Sequence, residues 1–276
     1  MIEAADIVMP AETAPAKVDA VLATDRYAAL RNPYPKVAHA YYVQREQTPL
    51  WGQAIDESLP PASLTKLMTA HLVLSNSDLA AATTVSATAA AMMGSRLGLR
   101  HGDRIAVTDL LVGMLLGSGN DACVALAELV SGSEAVFVVK MNAEAQRLGM
   151  NKTHFTNACG FDADAHRSSV RDLVTLTETA LGHRQLLSWV GLAEATVQIN
   201  GKQKRVKNNN ALLGRLPGAI GVKTGFTQRA GKCVIALVER DGQRVLAIFL
   251  NAPDRWWDMA AIIELAFRET ITVPTP

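Results

Sequence analysis

Near its end the chain carries two apolar runs, Lys232 to Arg240 and Gln243 to Leu250, joined by Asp241-Gly242. Asp-Gly between strand-forming runs is a strong hairpin signal, because a two-residue type I′ turn needs positive φ at both central positions. The sheet this hairpin joins must draw on the other strand-like segments. Lys36 to Gln44 (Val37, Ala38, Ala40, Tyr41, Tyr42, Val43) and Leu50 to Ile55 read as two strands around the turn-like Glu46-Gln47-Thr48-Pro49. Ala195 to Ile199, Lys202 to Lys207 and Ile220 to Gly225 read as three more.

The middle of the chain follows a helical period. Helices are expected from Ser63 to about Ser75-Asn76-Ser77-Asp78 and from Asp109 to Leu116 behind Thr108 as N-cap. Others run from Asp121 to Val130, from Ser133-Glu134 through Leu148 to a closing Gly149, and from Ser168 to about Gly182, with a last one over Asp254 to Phe267. Leu79 to Met93, dominated by Ala, Thr and Ser, gives no clear element. Strands at both ends around a helical middle predict an α+β chain whose early strands rejoin the late ones in one antiparallel sheet. Residues 1–35, rich in alanine and proline, read as a weakly ordered lead-in with one short helix. Residues 36–276 read as one two-lobed unit, with a sheet lobe from 36–60 and 195–276 and a helical lobe from 75–190. A cleft between such lobes is a favoured ligand site.

Of the 276 residues 49% are apolar and 19% charged, which fits a folded chain able to bury a sizeable core. A net charge of +1 gives no electrostatic case for nucleic acid or an anionic membrane surface. No apolar run approaches the roughly 20 residues of a membrane span, and Met1 leads into no signal-peptide pattern. Cys123, Cys159 and Cys233 form no CxxC pair. Their odd count leaves at least one free thiol, and buried, inert cysteines are expected. The six histidines show no metal-ligand spacing, so neither metal nor cofactor is read from the chain.

Three short patterns carry chemistry. Ser63 and Lys66, three residues apart, share a helix face near its electropositive start, as a serine nucleophile and an amine base require. Alone, Ser-x-x-Lys is expected by chance about once in a chain this long. Ser118-Gly119-Asn120 lies on a loop between helices and offers a second hydroxyl and a carboxamide. Lys223-Thr224-Gly225 lies on a strand, where alternation puts Lys223 and Gly225 on one face and Thr224 on the other. S-x-x-K, S-x-N and K-T-G, in this order and in helix, loop and strand, are the signature of penicillin-binding proteins and class A β-lactamases.

The chain resembles the low-molecular-mass penicillin-binding proteins, the serine D-alanyl-D-alanine carboxypeptidases, from about Lys36 to Phe267. The resemblance rests on Pro61 to Thr69, Ser118 to Ala122, Phe155-Thr156-Asn157, Gly160-Phe161-Asp162 and Ser168 to Leu173, with Asn210 to Leu213, Gly221 to Thr227 and Ala230-Gly231. It implies the penicillin-binding protein/serine β-lactamase-like fold and a location outside the cytoplasmic membrane. The substrate implied is a peptidoglycan stem peptide ending in D-Ala-D-Ala, with β-lactams as covalent inhibitors. It further implies Ser63 as nucleophile, Lys66 as base and Ser118 as proton relay. Asn120, Lys223, Thr224, Gly225 and Arg255 would bind substrate, and the backbone amides of Ser63 and Phe226 would hold the oxyanion. Residue 226 is phenylalanine where such proteins often carry histidine or tyrosine. The C-terminal β-rich domain and amphipathic anchor that relatives often carry do not occur in this sequence.

Other residues have plainer explanations. Arg255 could simply start the last helix, with Trp256 and Trp257 in the core. Lys202, Lys204, Arg205 and Lys207 fit a solvated strand face, with Arg205 free to lean towards the cleft. His71 is expected to be satisfied internally, and Asp162, Asp164 and Asp172 to serve turns and caps. DD-endopeptidase and transpeptidase activities share the motifs. A β-lactamase would want a deacylating glutamate, and no Glu-x-x-Leu-Asn lies between Ser118 and Lys223. A non-catalytic sensor would not need all three motifs intact.

Overall fold

The computed structural model describes residues 25–28 and 30–270, so most of the lead-in expected over 1–35 lies outside the described residues. Strands β1 (Ala40–Arg45), β2 (Thr48–Gln53), β7 (Ala219–Thr227), β8 (Gly231–Arg240) and β9 (Gln243–Ala252) form an antiparallel sheet in the order β2-β1-β9-β8-β7. The β8–β9 turn has positive φ at Asp241 and Gly242, as the Asp-Gly pair predicts. β1 then pairs with β9 from Ala40 opposite Leu250 to Arg45 opposite Val245, which brings the two ends of the described chain together.

The sheet is covered on both faces. On β8, Cys233, Ile235 and Leu237 face one core cluster and Val234, Ala236 and Val238 the other. On β9, Leu246, Ile248 and Leu250 alternate in the same way with Val245, Ala247 and Phe249. A strand with two buried faces reads as a continuous apolar run, which is why these segments show little alternation in sequence. Helix α8 (Trp257–Arg268) covers one face through Met259, Ile262, Ile263 and Ala266. The helical side covers the other.

On that side α1 (Lys66–Asn76) is central: every residue from Lys66 to Val73 is buried. Helices α3 (Val107–Leu116), α4 (Asn120–Ser131), α5 (Glu134–Arg147) and α6 (Val170–Leu181) pack around it. Ser133 caps α5 and Ser169 caps α6 through side-chain oxygens. α3 begins one residue before the expected cap. Thr108 lies inside it, and its hydroxyl donates to Leu79 O at 2.8 Å instead. Short α2 (Ala87–Ala90) and α7 (Arg184–Val190) complete the α-helices among the described residues; neither was legible in the sequence.

The single-sheet expectation is corrected. β5 (Glu194–Ile199) and β6 (Lys202–Lys207) join β3 (Ala82–Thr84) and β4 (Arg104–Ala106) in a second antiparallel sheet, order β3-β4-β5-β6. β6 carries Lys202, Lys204, Arg205 and Lys207, all exposed, and could not enter a sheet covered on both faces. It buries only Val206, beside Val197 of β5 and Ile105 of β4, against the helical core.

Candidate active site

Pro61 leads into a single 3-10 turn, Ala62–Thr65, and α1 starts only at Lys66. Ser63 therefore sits on the turn before the helix rather than within its first turn. Ala62 holds φ at 49°, a left-handed conformation that costs a non-glycine residue about 1 kcal/mol or more and needs bracing. The bracing is visible. Thr65 Oγ1 donates to Ala62 O at 2.8 Å and lies 2.8 Å from His166 Nε2. His166 Nδ1 accepts from Thr156 N at 3.1 Å, so the ring proton sits on Nε2 and is donated to Thr65. Burial pushes the His166 imidazole down to about 4, keeping it neutral. Gly160, at φ 90°, lies so close that any Cβ would collide with the Ala62 carbonyl.

Lys66 Nζ is fully buried and lies 2.9 Å from Ser63 Oγ, 2.9 Å from Asn120 Oδ1 and 2.6 Å from Cys159 O. The last two partners can only accept. A neutral amine has two hydrogens and one lone pair. Its hydrogens fit the two carbonyl oxygens, which leaves the lone pair facing the one partner that can give a proton, the Ser63 hydroxyl. Burial drives the Lys66 amine well below the ordinary lysine range, and the like charge of Lys223 drives it further.

Ser118 occupies the bend between α3 and α4 with φ at 60°. Its hydroxyl accepts from Lys223 Nζ at 3.1 Å, and Lys223 also donates to Thr224 O at 3.0 Å. Lys223 is 1% exposed, and burial, with Arg255 nearby, lowers it to about 7. Gly225 allows β7 to lie against the turn: a Cβ there would stand 3.1 Å from Ser63 N. Arg255 lies in the bend before α8 rather than in the helix. Its Nη1 donates to Gly225 O at 2.6 Å and Cys233 O at 3.3 Å, and its buried Nε has no partner among the described residues. Trp256 is half-buried beneath the Arg255 guanidinium, 4.7 Å from it, while Trp257 is 80% exposed, so the pair is not core.

These elements enclose a cavity of about 400 Å³ lined by Ser63, Ser118, Thr224, Gly225, Phe226 and Arg255, among others. A second, of about 330 Å³, adjoins it across Ser63 and Phe226 and is lined by Asn120. Both volumes suit a small ligand. Lys66 and Lys223 lie buried just beneath. Thr224, which alternation set apart from Lys223, does reach the cavity. The carboxamide of Asn120 is already engaged, Oδ1 by Lys66 and Nδ2 by Met93 O at 2.6 Å.

Several supporting residues were missed. Asp121 is fully buried and accepts from the amides of Leu97, Gly98 and Leu99 at 2.7–2.9 Å, fixing the loop whose Gly94 and Ser95 line the cavities. Neither this loop nor His166 belongs to a motif. The cysteine expectation is corrected: Cys123 and Cys159 form a disulfide, which ties α4 to the segment that carries the Lys66 acceptor. Their Cα atoms are 5.9 Å apart, a contact that a sequence separation of 36 conceals. Cys233 is free and buried, as expected, and burial pushes its thiol up to about 11. Arg205 pairs with Glu194 and does not reach the cleft. His71 is held between His183 and Glu144. Asp162 and Asp164 brace Arg229 and Thr227, and Asp172 binds Thr153 and the Lys152 amide.

An α+β cleft with a paired serine and lysine on one wall and a lysine strand on the other defines the penicillin-binding protein/DD-transpeptidase fold. The chain belongs to the D-alanyl-D-alanine carboxypeptidase family, whose profile matches residues 47–254. It is 34% identical over 234 residues to D-alanyl-D-alanine carboxypeptidase DacF of Bacillus subtilis, covering 82% of this chain and 60% of that protein. The Streptomyces K15 DD-transpeptidase superposes with a TM-score of 0.81 at 30% identity, covering 87% of this chain and all of that one. Penicillin-binding protein D2 of Listeria monocytogenes, in its ampicillin-bound form, superposes at 0.76 with 33% identity, covering 86% and 100%. The chain spans between 52% and 60% of the length of the first curated relatives it matches. Among the described residues no single helix is long and apolar enough to cross a membrane.

Proposed function

We propose that the protein is a serine D-alanyl-D-alanine carboxypeptidase that removes the terminal D-alanine from peptidoglycan stem peptides, and that β-lactams acylate the same serine. The observation that carries this reading is the buried Lys66 amine, 2.9 Å from Ser63 Oγ and within reach of two carbonyl oxygens that can take its hydrogens. An ordinary lysine titrates at about 10.4 and could not serve as a base at neutral pH. Burial beside a second cation supplies the depression that the role requires.

In this mechanism Ser63 Oγ attacks the carbonyl of the penultimate D-alanine and its proton passes to Lys66. The oxyanion lies between the backbone amides of Ser63 and Phe226, donors fixed before the reaction starts. Ser118, hydrogen-bonded to Lys223, relays a proton to the departing amine. Thr224 and Arg255, above the Lys223 ammonium, hold the terminal carboxylate. Asn120 acts chiefly by holding Lys66, with one N–H left for the substrate peptide. Water then hydrolyses the ester. A cell-wall substrate places the protein outside the cytoplasmic membrane, and the Cys123–Cys159 disulfide fits an oxidising compartment.

The test is mass spectrometry after incubation with penicillin, together with D-alanine release from diacetyl-L-lysyl-D-alanyl-D-alanine. The expected adduct lies on the peptide that holds Ser63, and Ser63→Ala removes both adduct and release. An adduct on another residue, or acylation without any D-alanine release, would overturn the carboxypeptidase reading; the latter result is that of a sensor. Rapid turnover of penicillin would indicate a β-lactamase instead.

A further inference from the structure

Three asparagines in a row, Asn208, Asn209 and Asn210, follow β6, and the middle one lies outside every motif. Asn208 Nδ2 donates to Val190 O and Leu192 O at 3.1 and 3.0 Å, and Asn210 Oδ1 accepts from Leu212 N at 3.0 Å. Asn209 instead crosses to the bend that carries Ser118. A helix leaves its last carbonyls without donors of its own. At the end of α3, Asn209 N donates to Leu116 O at 3.0 Å and Asn209 Nδ2 to Gly117 O at 3.1 Å, so one residue clasps both. Val206 of β6 packs on the same bend, where a Cβ on Gly117 would stand 3.2 Å from its Cγ1. Asn209 is itself exposed and lines the cavity that holds Ser63, Ser118 and Arg255.

We propose that Asn209 is a positioning residue for the Ser118 proton relay, holding the peptide plane that aims the Ser118 hydroxyl at the leaving amine. This inference rests on the Ser63 acyl-transfer reading. The Gly117 carbonyl and the Ser118 amide share one rigid peptide plane, so the Asn209 bond fixes the torsions on either side of it. One of these is the Ser118 φ of 60°, a left-handed value that serine keeps only where its surroundings impose it. Rotation of the plane would carry φ away from that value and swing Oγ with it. Among the described residues Ser118 Oγ bonds only Lys223 Nζ, at 3.1 Å. A single contact leaves the hydroxyl free to pivot, so its aim is set by the backbone beneath it.

The relay matters only where the leaving atom must gain a proton. In the peptide, the Ser63 Oγ–C bond forms and the C–N bond breaks. Ser118 gives its hydroxyl proton to the departing nitrogen and recovers one along its hydrogen bond from Lys223. The Ser63 proton, now on Lys66, balances the one spent. With sulfur in place of that nitrogen, the C–S bond breaks to a thiolate. Thiols titrate at about 8.5, so the sulfur departs without a proton.

The test measures kcat/KM, which covers the steps through acylation, for diacetyl-L-lysyl-D-alanyl-D-alanine and for its analogue with sulfur replacing the leaving nitrogen. Both keep the terminal carboxylate and methyl group, so a residue that only touched the substrate would affect them alike. Asn209→Ala retains the backbone bond to Leu116 O and loses the bond to Gly117 O. It is expected to lower kcat/KM about tenfold for the peptide and less than about twofold for the thiolester. Turnover of the thiolester also shows that the variant is folded. Ser118→Ala is expected to discriminate in the same direction by about 10²-fold. An equal loss on both substrates in Asn209→Ala, or no loss on either, would sink the proposal while Ser118→Ala still discriminates. Equal losses in Ser118→Ala would remove the relay, and the role of Asn209 with it. No turnover of either substrate and no penicillin adduct in the wild type would instead remove the acyl-transfer reading itself.

Discussion

The two walls of the cleft each bury a lysine, and they use it differently. On the turn-and-helix wall, Lys66 is surrounded by acceptor-only oxygens and one hydroxyl, so its neutral form completes every contact. On the strand wall, Lys223 donates to Ser118 and Thr224, and Arg255 nearby adds a second positive group. The first arrangement favours giving up a proton and the second presents positive charge to an anion. The walls also differ in bracing. The reacting wall is held by the His166–Thr65 chain, by Gly160 and by the disulfide, whereas the strand wall relies on its β-ladder and on Arg255 clasping two carbonyls. Buried amines of one residue type thus acquire separate roles from the partners each can reach.

Exchanging the charge character of each lysine should break that asymmetry most sharply. Arginine cannot act as a base, since its guanidinium stays protonated. Lys66→Arg is expected to slow penicillin acylation of Ser63 by about 10³-fold or more, read by stopped-flow with a fluorescent β-lactam. A residual rate near that of the wild type would show that Lys66 is not the base.

The bracing is open to the next largest effect. Opening a disulfide that closes a loop of this size costs about 3–4 kcal/mol in the chain-entropy account. Cys123→Ala with Cys159→Ala is expected to lose that much in denaturant unfolding. Because the Cys159 carbonyl is a Lys66 partner, acylation should slow as well, while saturation by a non-reactive D-alanyl carboxylate, if it binds the strand wall as proposed, should change little.

His166 sharpens the comparison from the stability side. Its folded value of about 4 lies below its ordinary 6.5, so the unfolded chain binds more protons between these limits. The stabilisation is complete above about pH 6.5 and is lost as the pH falls towards 4, amounting to roughly 3 kcal/mol. His166→Gln should flatten that part of the stability–pH curve, with Tm by calorimetry as the readout. A curve unchanged by the substitution would mean that the acid loss arises elsewhere.

These supports explain what could and could not be read from the sequence. The three motifs found the groups that converge on the cleft because spacing along a helix, a loop and a strand is local. The hairpin at Asp241-Gly242 was legible for the same reason. His166 meets Thr65 across 101 positions, and Asp121, though it lies in the Ser118 to Ala122 stretch, holds the Leu97 to Leu99 amides in a way no period or spacing marks. Cys123 and Cys159 look like two isolated apolar residues until α4 and the loop after Phe155 are folded against each other. The short strands β3 and β4, three residues each, are too short to show a period and are held by β5 and the helical core. β6 looked like any other strand, and only its four cations, exposed on a second sheet, reveal why it could not join the first.

The smallest effect separates the two lysines by pH alone. If Lys66 must be neutral, kcat/KM rises with pH as its proton leaves. If Lys223 must be charged to hold the carboxylate, kcat/KM falls again as pH climbs through about 7. The two requirements give a bell if the Lys66 proton leaves at a lower pH than the Lys223 proton; burial and the neighbouring Lys223 charge both push Lys66 down. Lys223→Arg keeps a cation at every working pH. Its longer, planar head fits the Ser118 contact less well and is expected to cost about tenfold at the optimum, but the alkaline limb should move up by at least two pH units. D-alanine release measured from pH 5 to 10 reads both. An alkaline limb that stays in place in Lys223→Arg would assign it to another group and leave the strand wall without its electrostatic role.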